Sequence, residues 1–586
     1  MSGRERAVSA VERPPIQGKT FPCSYEYGRV QSHPMRDGTV VDAVTAALIA
    51  EGTEVVFALM GDGNLDLLTK VSMTGRIKLV HACHEQGAVA MADGYARFSG
   101  KPGVASVTHG PGLSNTATSL LTAVAARSPV VLIAPDTPTG DLNHPQRFDQ
   151  QAFIRSTGAM FRPLHRPGTV HADTGAVFRH VRYGKGPAVL NAPTDVLLAP
   201  VPPDTEPYKP ADEPPAGPAP DPTAVDAAVA ALTAARRPVI LVGRGVPPGA
   251  GAEPVGELAD LLGAPITTSL KAKGLLARHP RSLGVAGGLG TRAASRALAA
   301  ADCVLVLGAT ANQWTTDGGL TGGVIVHVDH DAEAMGRHSR PDVSVVGDAV
   351  KTAAVLRDRL AAAGPRAGWT PPAEESAGAS SPAGTSPVHP QQVVDALDAA
   401  LPEERLLVVD AGHFGSYAQQ TLRSWDPRRY AFTHDFGAIG QALGVSIGAA
   451  FAREGERVTV VLGDGCLMMS LNELATVRRY GLPLTVVVMN DGGYGQERHS
   501  LRAKGFPIAE SEHTWPDIAS IARGFGIPAH SIGCATDLPL LSQVLAEETG
   551  PVLFDVHIDP DAQNRAFADI AARLRGSSPD VEGERR

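Results

Sequence analysis

Two short acidic loops are the places where this sequence could do chemistry. VTVVLGDGCLMMSLNELATV sets Gly463-Asp464-Gly465 directly after an apolar strand pattern and before a helical one. Glycines there let the backbone approach an anion, and the free N–H groups of a helix start favour one. Asp464 cannot hold a phosphate by its own charge, so it makes sense with a divalent cation between the two. The next apolar run, LPLTVVVMN, ends in Asn490-Asp491-Gly492-Gly493-Tyr494-Gly495. Adjacent strand ends would offer Asp464 and Asp491 to one hard cation; two unrelated surface turns would present the same residues. A third acid, Glu85, stands where VHAC gives way to HEQGAVAMADGYARFSG, a strand-to-helix junction. By type alone it is a helix N-terminal acid, favoured by the field of the helix.

The elements that must position these residues follow one scheme three times. VVDAVTAALIAEG reads as a helix, EVVFALMG as a buried strand, and IKLVHAC, GVASVTHG and PVVLIAP as further strands separated by helical patterns. RPVILVGRG, APITTSL, ADCVLVLGA and GGVIVHVDHD repeat the strand signal, as do RLLVVDAGH, ERVTVVLGDG, LPLTVVVMND and PVLFDVHID. Strands alternating with helices predict an α/β fold class of three doubly wound parallel-sheet domains, over residues 36–201, 223–361 and 388–575. A Pro-rich linker over 202–222 and an Ala/Gly/Ser/Pro-rich linker over 362–387 separate them. The arm at 1–35 and the tail at 576–586 show no periodic face and are expected to be extended or frayed. Open parallel sheets bind ligands at the carboxyl ends of their strands, where these acids lie.

Composition removes several function classes. The formal net charge of -9 argues against a nucleic-acid partner. No run of 18 apolar residues suggests a membrane span, and MSGRERAVSAVERPP lacks the apolar stretch of a secretory signal. Cys23, Cys83, Cys303, Cys466 and Cys534 are scattered without a CxxC pair, which suits a reduced, cytoplasmic protein.

The GDG loop followed by Asn490-Asp491 resembles the GDG…NN thiamine-diphosphate motif of the acetolactate synthase and pyruvate decarboxylase superfamily. The likeness runs over roughly residues 37–565 with its motifs in family order. It implies thiamine diphosphate and Mg²⁺, the metal held by Asp464, Asp491 and the backbone carbonyl of Gly493. Gly463, Gly465 and Tyr494 belong to the same cofactor-binding segments. Position 491 is Asp where the family has Asn. VHACHEQGAVAMADGYAR resembles the stretch whose Glu meets the aminopyrimidine N1′, which assigns that role to Glu85. HGPGLSN matches the family's GPGxxN loop, with Gly110 and Asn115 near the cofactor. Phe436-Gly437-Ala438-Ile439-Gly440 resembles the segment whose bulky aliphatic residue, here Ile439, wedges between the two thiamine rings, with the Gly437 carbonyl facing the 4′-amino group. The domains then become pyrimidine-binding, central and diphosphate-binding. In this family the pyrimidine-binding domain of one subunit faces the diphosphate-binding domain of another, so a homodimer or homotetramer with shared active sites is expected.

The resemblance also bears on the reaction. Gly61-Asp62-Gly63-Asn64-Leu65 is similar to the GDxNL of pyruvate and indolepyruvate decarboxylases, which makes Asp62 a proton-handling candidate; a turn acid that caps a helix is the alternative. Those enzymes carry adjacent histidines in the GPG-like region, whereas here only His109 precedes Gly110. His144-Pro145-Gln146-Arg147-Phe148-Asp149-Gln150 aligns with the Gln-Glu-x-Asp pattern of acetolactate synthases, with Gln146 as the active-site Gln and Arg147 in place of Glu. His413 and His434 are further candidates for proton transfer near neutral pH. VLVLGATANQWTTDGG lacks the Arg that holds FAD in acetolactate synthases, so FAD is not expected. The expected activity is a carboligase that decarboxylates a 2-oxo acid donor and passes the acyl unit to an aldehyde or ketone acceptor. The alternatives are a non-oxidative 2-oxo acid decarboxylase that releases an aldehyde, or an inactive cofactor-binding homologue.

Overall fold

Each repeat of apolar strand patterns closes into its own six-stranded parallel sheet in the computed structural model, which describes residues 38–317, 320, 322–371 and 386–564. The arm expected at 1–35, the tail at 576–586 and residues 372–385 of the second linker lie outside the described residues. The N-terminal sheet holds β1 (Val55–Ala58), β2 (Lys78–His81), β3 (Gly103–Ser106), β4 (Val130–Asp136), β5 (Met160–Pro163) and β6 (Ala188–Pro193). Their order is β2-β1-β3-β4-β6-β5.

The central sheet holds β7 (Pro238–Val242), β8 (Ile266–Thr268), β9 (Ser282–Val285), β10 (Cys303–Leu307), β11 (Val324–Asp329) and β12 (Val343–Val346), ordered β12-β11-β10-β7-β8-β9. The C-terminal sheet holds β13 (Leu406–Val409), β14 (Tyr430–Phe432), β15 (Val458–Gly463), β16 (Leu484–Asn490), β17 (Ala529–Ile532) and β18 (Val552–His557), ordered β14-β13-β15-β16-β18-β17. The first and third sheets therefore share one topology. Val-rich β15 and β16 are buried along their whole length, as strands covered by helices on both faces must be.

In the two outer sheets the chain reverses its direction of travel between the first strand and the third. The carboxyl edge at these switch points, β1/β3 and β13/β15, is the usual ligand position in such sheets. At the central sheet's switch point, between β7 and β10, the two loops meet instead: the Gly243 N–H donates to the Leu307 carbonyl and the Gly245 N–H to the Gly308 carbonyl.

One continuous apolar core joins the N-terminal and C-terminal domains. Its centre is the crossing of two helices, Glu85–Ser99 and Ala442–Ala452, both buried on nearly every face. Small residues make that approach possible. A Cβ at Gly94 would lie 2.0 Å from the Val445 carbonyl oxygen, and one at Gly448 1.9 Å from that of Met91. The Pro-rich linker forms no regular element, but Tyr208 and the Ala211 N–H both donate to the buried Glu51 carboxylate, fixing it to the first domain. Among the described residues no helix is long and apolar enough to cross a membrane.

Candidate active site

Four loops at the carboxyl edge of the N-terminal sheet form the first half of the site. Strand order sets β2, β1, β3 and β4 side by side, so Glu85, Asp62, His109 and the His144–Gln146 segment leave the same edge. Glu85 opens its helix behind the N-cap His84, whose Nδ1 accepts from the Gln86 N–H at 3.1 Å. That bond leaves Nδ1 without a proton, so its 3.9 Å approach to Glu85 is not an ion pair. The Glu85 carboxylate is buried, and Asn115 Nδ2 donates to its Oε2 at 3.1 Å.

The loop after β3 needs its glycine. Gly110 has φ +64°, and a Cβ there would lie 2.6 Å from Gln146 Cβ. Its N–H donates to Gln150 Oε1 at 3.2 Å, and Gln150 Nε2 donates to the Pro135 carbonyl at 3.0 Å. The buried Gln150 therefore anchors this loop, while Gln146 packs beside it, half-buried. Asp62 is exposed on a single 3₁₀ turn, and its carboxylate accepts no capping hydrogen bond; Asn64 Oδ1 takes the Gly61 N–H instead.

His109 is 1% exposed with both ring nitrogens unpartnered among the described residues, and it meets His144 edge-on at 5.1 Å. Burial, then His144, lowers its pKa, while Asp62 and Asp136 pull the other way. His144 Nδ1 accepts from the Gln146 N–H at 3.2 Å, which leaves its Nε2 as the donor. A second histidine thus reaches His109 from a separate loop.

The second half lies on the C-terminal sheet, at the ends of β13, β15 and β16. Asp464 is buried; its Oδ1 accepts from the Gly465 N–H and its Oδ2 from the Gly493 N–H, each at 2.9 Å. The helix that follows, Asp464–Met468, is a single turn and so has a weaker field than the sequence pattern suggests. Tyr494 lies against Gly465, where a Cβ would come within 2.6 Å of its ring.

The Asp491 side chain is 5% exposed, and its Oδ1 has no partner among the described residues. Burial first, and then the Asp464 charge, push its carboxyl up to about 7, against the pull of Arg498. Burial also raises Asp464. His413, at the start of the helix His413–Thr421, is pushed down to about 3 by burial, then by His499 and Arg498, and is neutral. Its Nδ1 stands 3.6 Å from Asp491 Oδ2, too far for a hydrogen bond, and its Nε2 is unpartnered among the described residues. His413 thus accompanies the acidic pair.

Residues 433–441 carry Gly437, in the left-handed region at φ +82°, and Ile439, half-buried against the shared core. His434 is exposed and stacked on Phe432 at 5.5 Å. Two buried acids fix this segment. Asp410 accepts from Thr433 Oγ1 at 2.8 Å and from the Gly440 N–H at 3.0 Å. Asp435 accepts from Arg97 of the first domain at 2.9 Å and pairs with Lys271 of the central domain at 2.6 Å. No hydrogen bond or ion pair links Glu85 with Asp464 among the described residues.

Comparison with known proteins places this arrangement. Three family models match in sequence order: thiamine pyrophosphate enzyme N-terminal TPP binding domain at residues 38–153, central domain at 225–356 and C-terminal TPP binding domain at 410–556. A sulfoacetaldehyde acetyltransferase of Alcaligenes xylosoxydans xylosoxydans is 32% identical over 506 residues, covering 78% of this chain and 82% of the relative. The chain belongs to the thiamine pyrophosphate enzyme family.

Other members of this family are similar over more of their length. The acetolactate synthase isozyme 1 large subunit of Escherichia coli (strain K12) is 29% identical, covering 89% of this chain and 94% of that one. The solved 4-hydroxybenzoylformate decarboxylase of Rhodococcus jostii RHA1 shares the fold, with TM-score 0.76, 21% identity, and coverage of 90% of this chain and 100% of that chain.

A thiamine pyrophosphate enzyme must accommodate a diphosphate, and the residues around Asp464 fit the cation this calls for. Burial raises both carboxyls and the Asp464 charge raises Asp491 further, a charging cost that a divalent cation between them would relieve. Among the described residues no three His, Cys, Asp or Glu side chains gather as a metal site, so backbone, diphosphate or water oxygens would complete the set. Sequence reasoning passes over Gln150, His144 and Asp410. Gln150 and His144 sit in the HPQRFDQ stretch beside the Gln146 that it selects, and Asp410 ends the strand pattern RLLVVD, as Asp464 ends VTVVLG within one residue.

Proposed function

We propose that this chain is a thiamine-diphosphate-dependent carboligase that decarboxylates a 2-oxo acid and transfers the remaining acyl carbanion equivalent to a carbonyl acceptor. The observation that carries the reading is the buried Glu85 carboxylate on one sheet edge, with Asp464 and Asp491 paired on the edge of a second sheet of like topology. Relatives named as acetolactate synthase and sulfoacetaldehyde acetyltransferase support it.

When bound, thiamine diphosphate supplies the carbon nucleophile and the electron sink for loss of CO₂. Asp464, Asp491 and the Gly493 carbonyl would hold Mg²⁺, with Gly463, Gly465 and Tyr494 around the diphosphate end. Glu85, oriented by Asn115, would hold a proton at the aminopyrimidine N1′. Gly437 and Ile439 would present a carbonyl and an aliphatic wedge to the rings from a segment that Asp410 keeps in place. Gly110, Gln146 and Asp62 line the substrate side, where Gln146 would donate to a bound oxygen. His434, on the rim, would orient the acceptor. In the superfamily this chain resembles, the pyrimidine-binding domain of one subunit faces the diphosphate-binding domain of another, so two copies of the chain would build each site from Glu85 and Asp464.

The test is CO₂ release from a panel of 2-oxo acids, with product identification in the presence and absence of an added aldehyde. A carbon–carbon coupled product supports ligation, whereas free aldehyde as the sole product despite the acceptor would overturn it. One observation favours the simpler decarboxylase as a second reading: His109 and His144 meet at the substrate edge, and the Asp62 charge acts on His109.

A further inference from the structure

Glu473 belongs to the C-terminal domain, yet its side chain serves the N-terminal one. It lies on the turn Leu471–Glu473, shortly after the Asp464 loop, and is 1% exposed. Its Oε1 accepts from the backbone N–H of Cys83 at 3.0 Å and of His84 at 3.1 Å. Its Oε2 accepts from Thr476 Oγ1 at 2.6 Å and from the Cys83 N–H at 3.2 Å. Cys83 and His84 are the two residues before Glu85, and Glu85 is the first residue of its 15-residue helix.

A second tie lies on the other side. Ser119 Oγ donates to the Gln86 carbonyl at 2.9 Å and stands 2.6 Å from Gln441 Oε1, on the segment that carries Ile439. Sequence and packing agree that the carboxylate is the designed occupant: a Cβ at Gly87 would lie 2.1 Å from Glu473 Oε1, so only glycine leaves room for it.

From this geometry we infer that Glu473 is a positioning residue for Glu85, fixing the backbone from which the activating carboxylate projects. The inference rests on the role proposed for Glu85, but its geometry does not depend on that role. An ionised carboxylate is suited to the task. It offers acceptor sites on both oxygens to N–H and O–H donors; burial pushes its carboxyl up, and the hydrogen bonds from Thr476, Cys83 and His84 pull back toward the charged form. An amide would turn an NH₂ group toward one of those donors. Without the carboxylate, the Cys83 and His84 N–H groups lose their acceptor, and the junction opens or shifts to find water. A shift of about 1 Å at a proton-transferring group is enough to cost on the order of 100-fold in rate.

The test compares Glu473→Ala and Glu473→Gln with wild type, and with Glu85→Gln as a control. Backbone hydrogen–deuterium exchange of the peptide covering residues 79–90 is read on the protein without added cofactor. Thiamine diphosphate affinity and kcat are read with Mg²⁺ present. The expected result for Glu473→Ala is about tenfold faster exchange at Cys83 and His84 or more, unchanged protection of β15 and β16, cofactor affinity within about threefold, and kcat lowered about tenfold or more. Glu473→Gln, which keeps one acceptor oxygen, should recover part of both effects; it also serves if the alanine variant does not fold. A purely structural role would lower affinity and global protection together without that split. Unchanged exchange at 83–84 would overturn the inference, as would altered exchange with unchanged kcat. If Glu85→Gln keeps full turnover while the exchange result stands, the role of Glu85 fails and the Glu473 contact does not.

Discussion

Asp491 carries the sharpest chemical demand of any single residue here. Its carboxyl is held up from 3.8 to about 7 by burial and by Asp464, so the folded protein binds that proton more tightly than the unfolded chain does. Stability from this group is complete below the unfolded pKa and is lost as pH rises through about 7. His413 works in the opposite sense, because a histidine pushed from 6.5 to about 3 costs stability as pH falls across that interval. The two slopes overlap, so the informative quantity is the difference between wild type and Asp491→Asn. The thermal midpoint of chelator-treated wild type minus that of the variant should fall as pH rises from about 4 to about 7. A pH-independent difference would refute the raised carboxyl; Mg²⁺ with thiamine diphosphate should abolish the trend, and a trend unchanged by them would count against Asp491 as a metal ligand. The residue types at Glu85, Asp464 and Asp491 were legible in the sequence because each ends a strand pattern. His144 was not, because nothing local says that its loop folds back onto His109.

At the scale of elements, two glycine-lined helices decide how the halves of the chain sit against each other. The strands were readable as short Val- and Ile-rich runs, and their alternation with helices implied parallel sheets. The crossing of Glu85–Ser99 with Ala442–Ala452 was not readable. AVAMADGYA and ALGVSIGAA carry no amphipathic stripe that points to a partner, since both helices are buried on nearly all sides. Gly448→Ala should lower stability by about 1–3 kcal/mol, because a methyl group 1.9 Å from the Met91 carbonyl oxygen forces the helices apart. Denaturant unfolding of the first transition measures this, and an unchanged midpoint would mean that the contact adapts freely. The Pro-rich linker followed a similar rule: its composition excluded a regular element, while its docking on Glu51 depended on tertiary placement.

At the scale of the whole molecule, like topologies in the first and third sheets give the chain two ligand-facing edges, each with half of the proposed machinery. Glu85 and Asp464 share one chain and one continuous core, yet no hydrogen bond or ion pair joins them among the described residues. In the superfamily this chain resembles, the pyrimidine-binding domain of one subunit faces the diphosphate-binding domain of another, so the proposed working site is a product of two chains, and subunit mixing tests it most directly. Glu85→Gln and Asp464→Ala, purified separately, should each lose about 100-fold or more in turnover. Unfolded together and refolded as a mixture, they should regain about a quarter of wild-type activity, since half of the dimers then hold one intact site built from Glu85 of one chain and Asp464 of the other. Turnover that stays at the level of the separate variants, in a mixture shown to exchange subunits, would contradict a shared site.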